Sequence, residues 1–157
     1  MFQKTLIVCA VAAMAFTSCT KEEIVPTPVA PAKSKSDLLQ ATPWKLTAWS
    51  GTMEGTTDVQ DFYDLLLDAC DHDDQFRFKA QGVMEHDQMT DMCEPGEPKV
   101  VTATWTYTST TNRLRFNASG FEVEAVVSQL NDSSLQLQFS KDLLGVNFDH
   151  VWTFKKY

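Results

Sequence analysis

From Trp44 to the last residues of the chain, apolar side chains recur at every second position. Trp44, Leu46 and Ala48 share one parity, as do Phe76, Phe78 and Ala80 against Arg77 and Lys79. In the stretch VTATWTYT, Val101, Ala103, Trp105 and Tyr107 alternate with four threonines. Leu114 and Phe116, then Phe121, Val123, Ala125 and Val127, then Leu135, Leu137 and Phe139 continue the pattern. Phe148, His150, Trp152 and Phe154 close it. A period of two with one apolar parity describes antiparallel strands buried on one face. Gly82, Ser109–Asn112, Ala118–Gly120, Asn131–Ser134 and Gly145 supply the turns between them.

One segment carries the other period. Val59, Phe62, Tyr63, Leu66 and Cys70 fall on a single helical face, with Thr57 and Gln60 spaced as a capping box. Asp58 and Asp61 suit the positive end of a helix dipole. The expected order is therefore strand, helix, then a run of strands. A short strand around Val83–Asp87 brings the total to eight. Eight short antiparallel strands joined by tight turns favour closure, which removes exposed edges. The predicted fold is all-β: an eight-stranded antiparallel up-and-down barrel with one short α-helix between its first and second strands.

The N-terminus reads as a targeting signal. Lys4 gives the positive start, and Leu6–Phe16 is an apolar run too short to span a bilayer, which needs about 20 residues. Thr17 and Ser18 then precede Cys19, the order of a bacterial lipoprotein signal cut before a lipid-carrying cysteine. Lys21–Glu23 is similar to the short charged export signal of surface lipoproteins. Thr20–Ser36 holds three prolines and no apolar period, and reads as a semi-rigid tether. The predicted organisation is a signal over residues 1–18, lipidated Cys19 and tether over 19–36, and a barrel over 37–157.

Residues 1–18 contain Lys4 and no acid, so the remainder has 12 Lys and Arg against 21 acids, a net charge of −9. That balance argues against nucleic acid, whose binding rests on cations at phosphates. It argues equally against electrostatic docking to anionic lipid; the expected membrane contact is the acyl anchor. Beyond Cys19 the mature chain keeps Cys70 and Cys93, and two cysteines in an oxidising compartment are expected to pair.

Several stretches together resemble the small lipocalin-like lipoproteins of Bacteroidota. They are LLQATPWKLTA at the start of the barrel, CDHDDQFRFKAQG after the helix, DMCEPGEP, TATWTY, and the closing VWTFKK. The resemblance implies a lipocalin-type barrel anchored at the outer membrane and facing the cell surface. It also implies a disulfide from the helix end to a strand loop, here Cys70 to Cys93. Thr42-Pro43-Trp44 keeps the tryptophan of the Gly-x-Trp lipocalin opening without its glycine.

Two functions follow as expectations. One is a non-catalytic module binding a small apolar ligand inside the barrel through Trp44, Trp105, Tyr107, His150 and Trp152. The other is a filled barrel that presents its loops to a protein or glycan partner. Eleven large rings on the inward parity favour filling, because an eight-stranded barrel has room for its own side chains or one small ligand. Asp71, Asp73 and Asp74 form a weak calcium candidate, lacking the glycine and terminal glutamate of an EF-hand. His72 and His86 have no zinc-ligand spacing, and no metal or cofactor is expected. The sequence has no Gly-x-Ser-x-Gly, no His-Glu-x-x-His and no phosphate-cradling loop, so an enzyme is not expected.

Overall fold

The computed structural model describes residues 32–118, 121–143 and 145–157. The signal and Cys19 lie outside the described residues, as does the side chain of Phe121. The elements, in order, begin with α1 (Lys35–Gln40), β1 (Trp44–Met53), β2 (Val59–Asp61) and α2 (Tyr63–Leu66). After a 3₁₀ turn at Ala69–Asp73 come β3 (Gln75–Phe78), β4 (Val83–Asp87) and β5 (Val100–Thr108). Then β6 (Arg113–Ala118), β7 (Phe121–Leu130), β8 (Ser134–Leu143) and β9 (Val146–Lys156) complete the fold.

Strands β3 to β9 pair antiparallel in chain order, and β1 joins both β3 and β9. Eight strands thus close into the antiparallel barrel that the alternation predicts. Strand β2 stands outside that ring. It pairs only with the upper half of β1, at Ser50↔Asp61, Gly51↔Gln60 and Thr52↔Val59. Burial follows parity closely in β5: Trp105 is buried, Val101, Ala103 and Tyr107 are half-buried, and the threonines are exposed.

Two inward assignments are corrected. Ala48 is exposed, because β1 carries a bulge: Leu46 faces Phe154 while Ala48 faces Thr153, leaving Thr47 as the extra residue. A bulge reverses the parity beyond it, so Trp49 turns inward and is buried. Ala80 is exposed too, in a 3₁₀ turn at Ala80–Gly82 that ends β3 early.

The expected short helix is present but contracts to the single turn of α2, with β2 before it and the 3₁₀ turn after it. The free edge of β1 captures Val59–Asp61, and the Phe62 N–H bonds to the Trp49 carbonyl at 2.8 Å. Those sheet bonds compete with a helix of marginal length. The capping role passes from Thr57 and Gln60 to Asp71, whose carboxylate accepts from the Asp68 N–H at 3.0 Å.

At the other end, α1 begins inside the expected tether. Its signal is Ser34-x-x-Asp37, a reciprocal cap with both backbone–side-chain bonds at 3.1 Å. Leu39 is fully buried and its carbonyl accepts from the Trp44 indole at 2.9 Å. Helix α1 therefore plugs the end of the barrel where the chain enters. The β3–β4, β5–β6 and β7–β8 turns lie at this end; the two long connections, 54–74 and 88–99, lie at the other, with the turn before β9.

Candidate functional site

Tracing the five candidate ligand contacts shows what the interior can accept. Trp44 is fully buried beneath α1. The Trp105 indole donates to the Lys79 carbonyl at 2.8 Å, and Tyr107 Oη bonds Asn112 Oδ1 at 2.7 Å. Burial raises the Tyr107 phenol above its ordinary pKa. Trp152 sits at the barrel centre, with ring centroids 5.3 Å from Trp49 and 5.1 Å from Phe139, both edge-on. That geometry is the favoured one for aromatic pairs.

His150 is 1% exposed. Nδ1 accepts from the Trp49 indole at 3.0 Å, and the ring bonds the backbone at Lys141. Phe139 stacks on it at 5.1 Å. Phe62 closes the mouth above, 5.7 Å from His150 and 5.2 Å from Phe148. The sequence places His150 on the inward face but not its partners, Trp49 and Phe62. The signal for Phe62 is Gly51, which leaves the space that its ring occupies; Trp49 has none.

Two predictions arise here. A Cβ on Gly51 would lie 2.4 Å from Phe62 Cε2 and 3.2 Å from His150 Nδ1. Gly51→Ala is therefore expected to push Phe62 off the mouth and cost about 1–3 kcal/mol, read from the denaturation midpoint. A wild-type midpoint would show that the ring yields freely.

Burial also lowers the His150 pKa below its ordinary 6.5. The unfolded chain then binds the proton more readily than the folded one, so the neutral ring's contribution is intact above pH 6.5. It is lost as pH falls toward the folded pKa, at most by about 1.4 kcal/mol per pH unit. His150→Phe should flatten that part of the stability profile; an unchanged slope would reject the assignment.

The three candidate calcium ligands do not converge. Asp71 caps the 3₁₀ turn, and Asp73 Oδ2 accepts from the Thr90 N–H at 3.2 Å and hydroxyl at 2.9 Å. Asp74 is buried with Oδ2 2.5 Å from His86 Nε2, whose ring stacks on Phe76 at 4.7 Å. Burial raises the Asp74 carboxyl pKa, with His86 opposing the shift. These bonds tie loops to strands. Among the described residues, the one set of three ligand atoms close enough for a metal is Cys70, Asp71 and Cys93, whose thiols are joined as a disulfide.

Open depressions lie on the outside. One, about 740 Å³, lies on the barrel wall among Arg113, Glu124, Gln138, Ser140 and Asp149, with Phe139 and His150 also lining it. Another, about 610 Å³, lies beside α1 and is reached by Tyr107.

The end remote from α1 has a different character. Met53, Val59, Leu65, Leu66, Met92 and Val146 are all exposed in or beside its loops. Those loops are bound into one collar. The Cys70–Cys93 disulfide joins the connection 54–74 to the connection 88–99. Glu54 and Asn147 bond each other through backbone at 3.0 Å and side chains at 3.1 Å, tying in the turn before β9. Neither the family models nor the curated proteins compared with the chain match it.

Proposed function

We propose that this protein is a non-catalytic, lipid-anchored barrel of the lipocalin-like lipoprotein kind, held at the outer membrane by Cys19 and facing the cell surface. Its working part is the collar of loops remote from α1, presented to a macromolecular partner. The observation that carries this reading is the filled interior: the rings of Trp49, Phe62, Phe139, His150 and Trp152 contact one another across the space a ligand would need. An interior ligand would displace rings from edge-to-face contacts and break the Trp49–His150 bond. The collar, by contrast, exposes apolar side chains on a braced frame, at the end opposite α1.

Native mass spectrometry of the protein purified gently from its host tests the choice between carrier and platform. The expected result is the protein with its lipid and nothing else. A further small molecule, present reproducibly and lost on denaturation, would make the chain a carrier instead. The anchor has its own test: Cys19→Ala should move the protein from the membrane fraction to the soluble one. Continued sedimentation with membranes would reject lipidation at that residue.

A further inference from the structure

We infer that β2 is a docking edge for an extended, basic segment of polypeptide that carries apolar side chains. The inference rests on the proposed reading of the collar as the working end, and it names the chemistry of the partner.

The backbone argues for polypeptide. Strand β2 occupies the outer edge of the sheet, paired with β1 on one side; among the described residues no strand pairs with its other side. An unpaired edge offers N–H and C=O groups in the spacing of another strand. A glycan or an acyl chain cannot complete that ladder.

The side chains around the edge argue for apolar anchors. Val59, within β2, is 67% exposed, and Leu65, in the turn that follows, is 71% exposed. Met53 and Leu66 flank them, also exposed. Apolar residues gathered at a strand edge are what monomeric proteins ordinarily avoid.

Charge argues for a basic occupant. The segment 54–74 contains eight acids and no Lys or Arg. Asp58 and Asp61 bracket the edge itself, and Asp64 follows it. A second copy of this chain would bring the same acids opposite them, and like charges facing across strands repel. An extended segment with Lys or Arg on one face and Val or Leu on the other satisfies all three features at once.

The test uses the full chain carrying Cys19→Ala, produced without lipid, and fluorescence anisotropy of labelled octapeptides. The probe alternates Lys and Val. Three comparisons each remove one property: alternating Glu and Val, alternating Lys and Ser, and Lys-Val methylated on alternate backbone nitrogens. The Lys-Val peptide is expected to bind, and each comparison peptide to bind at least about tenfold more weakly. Binding should weaken as salt rises, because the attracting charges are exposed.

Val59→Ser with Leu65→Ser, and separately Asp58→Asn with Asp64→Asn, should each lower affinity by about tenfold or more. All four positions are exposed, and an unchanged thermal melt will show that the fold is intact. Failure of Lys-Val to bind, or equal binding of the N-methylated peptide, overturns the inference. If Glu-Val binds instead, and Val59→Ser with Leu65→Ser abolishes it, the basic partner is wrong while the collar remains the working end. If peptides bind but no collar substitution matters, both readings fall.

Discussion

Replacing Trp49 with alanine is expected to remove about 3–5 kcal/mol of stability, the range for deleting a buried aromatic side chain. Trp49 is 7% exposed and stands where three parts of the core meet. Its ring lies 5.3 Å from Trp152, 5.8 Å from His150 and 6.1 Å from Phe62, each edge-on. Its indole N–H is the donor to His150 Nδ1. The substitution therefore leaves a cavity and also strips a buried acceptor of its donor, and an unmet buried polar group costs about 1–3 kcal/mol in its own right. The two costs overlap, since His150 can turn or admit water once the indole is gone. Trp49→Phe separates them, keeping most of the ring while removing the donor, and should fall between the wild type and the alanine variant. Urea denaturation measures all three. A loss below about 1 kcal/mol for Trp49→Ala would mean that neighbours collapse into the space, against the close-packed interior described above.

Removing the disulfide by Cys70→Ser with Cys93→Ser should cost about 3 kcal/mol, the chain-entropy value for a loop of this length. The two cysteines are 23 residues apart in sequence, with their Cα atoms 5.3 Å apart. Much of the effect should be local. Without the bridge, the connections 54–74 and 88–99 keep the Thr90–Asp73 bonds and the Gln88–Lys99 backbone bond at 2.9 Å. Hydrogen exchange is the informative measurement, because local opening is read residue by residue. Faster exchange is expected across Tyr63–Asp74 and Gln88–Lys99, with β7, β8 and β9 retaining the order of protection they have in the intact protein. Uniform loss across the barrel would show that the bridge supports the whole fold instead of the collar.

What could be read from the sequence follows from how many contacts enforce each feature. In β5, every other residue faces the same crowded interior, so Trp105 and Tyr107 had to share a parity and their threonine neighbours had to be outside. Repeated over seven segments, that regularity specified the barrel. A bulge defies such reasoning because one inserted residue changes parity without leaving a compositional trace. Thr47 in β1 hid Trp49, the hydrogen-bond partner of His150. Segment 57–70 failed for a different reason. Val59, Phe62 and Leu66 have helical spacing, yet Val59 joins a strand edge, Phe62 fills the barrel mouth and Leu66 is exposed. Periodicity in so short a stretch records several separate packing demands, and the free edge of β1 decided among them. Helix α1 went unread within the expected tether, since six residues are too few for a period to emerge and the cap at Ser34 and Asp37 is its only signal.

The pairing of β1 with β9 governs when this protein can fold. The register runs from Trp44↔Lys156 to Met53↔Phe148, so the first barrel strand finds one whole edge in the last. A chain emerging N-terminus first, at a ribosome or through an export channel, can form the β4–β5, β6–β7 and β7–β8 hairpins as they appear. It cannot close the ring until its final residues are released. Until then β1 and β8 both present unpaired edges, a state prone to association with other chains. Closure between partners so distant in sequence is also intrinsically slow, on the order of milliseconds to seconds. On the proposed export route, that delay keeps the chain threadable. It also makes the last strand the part whose loss would leave the barrel open along its full height.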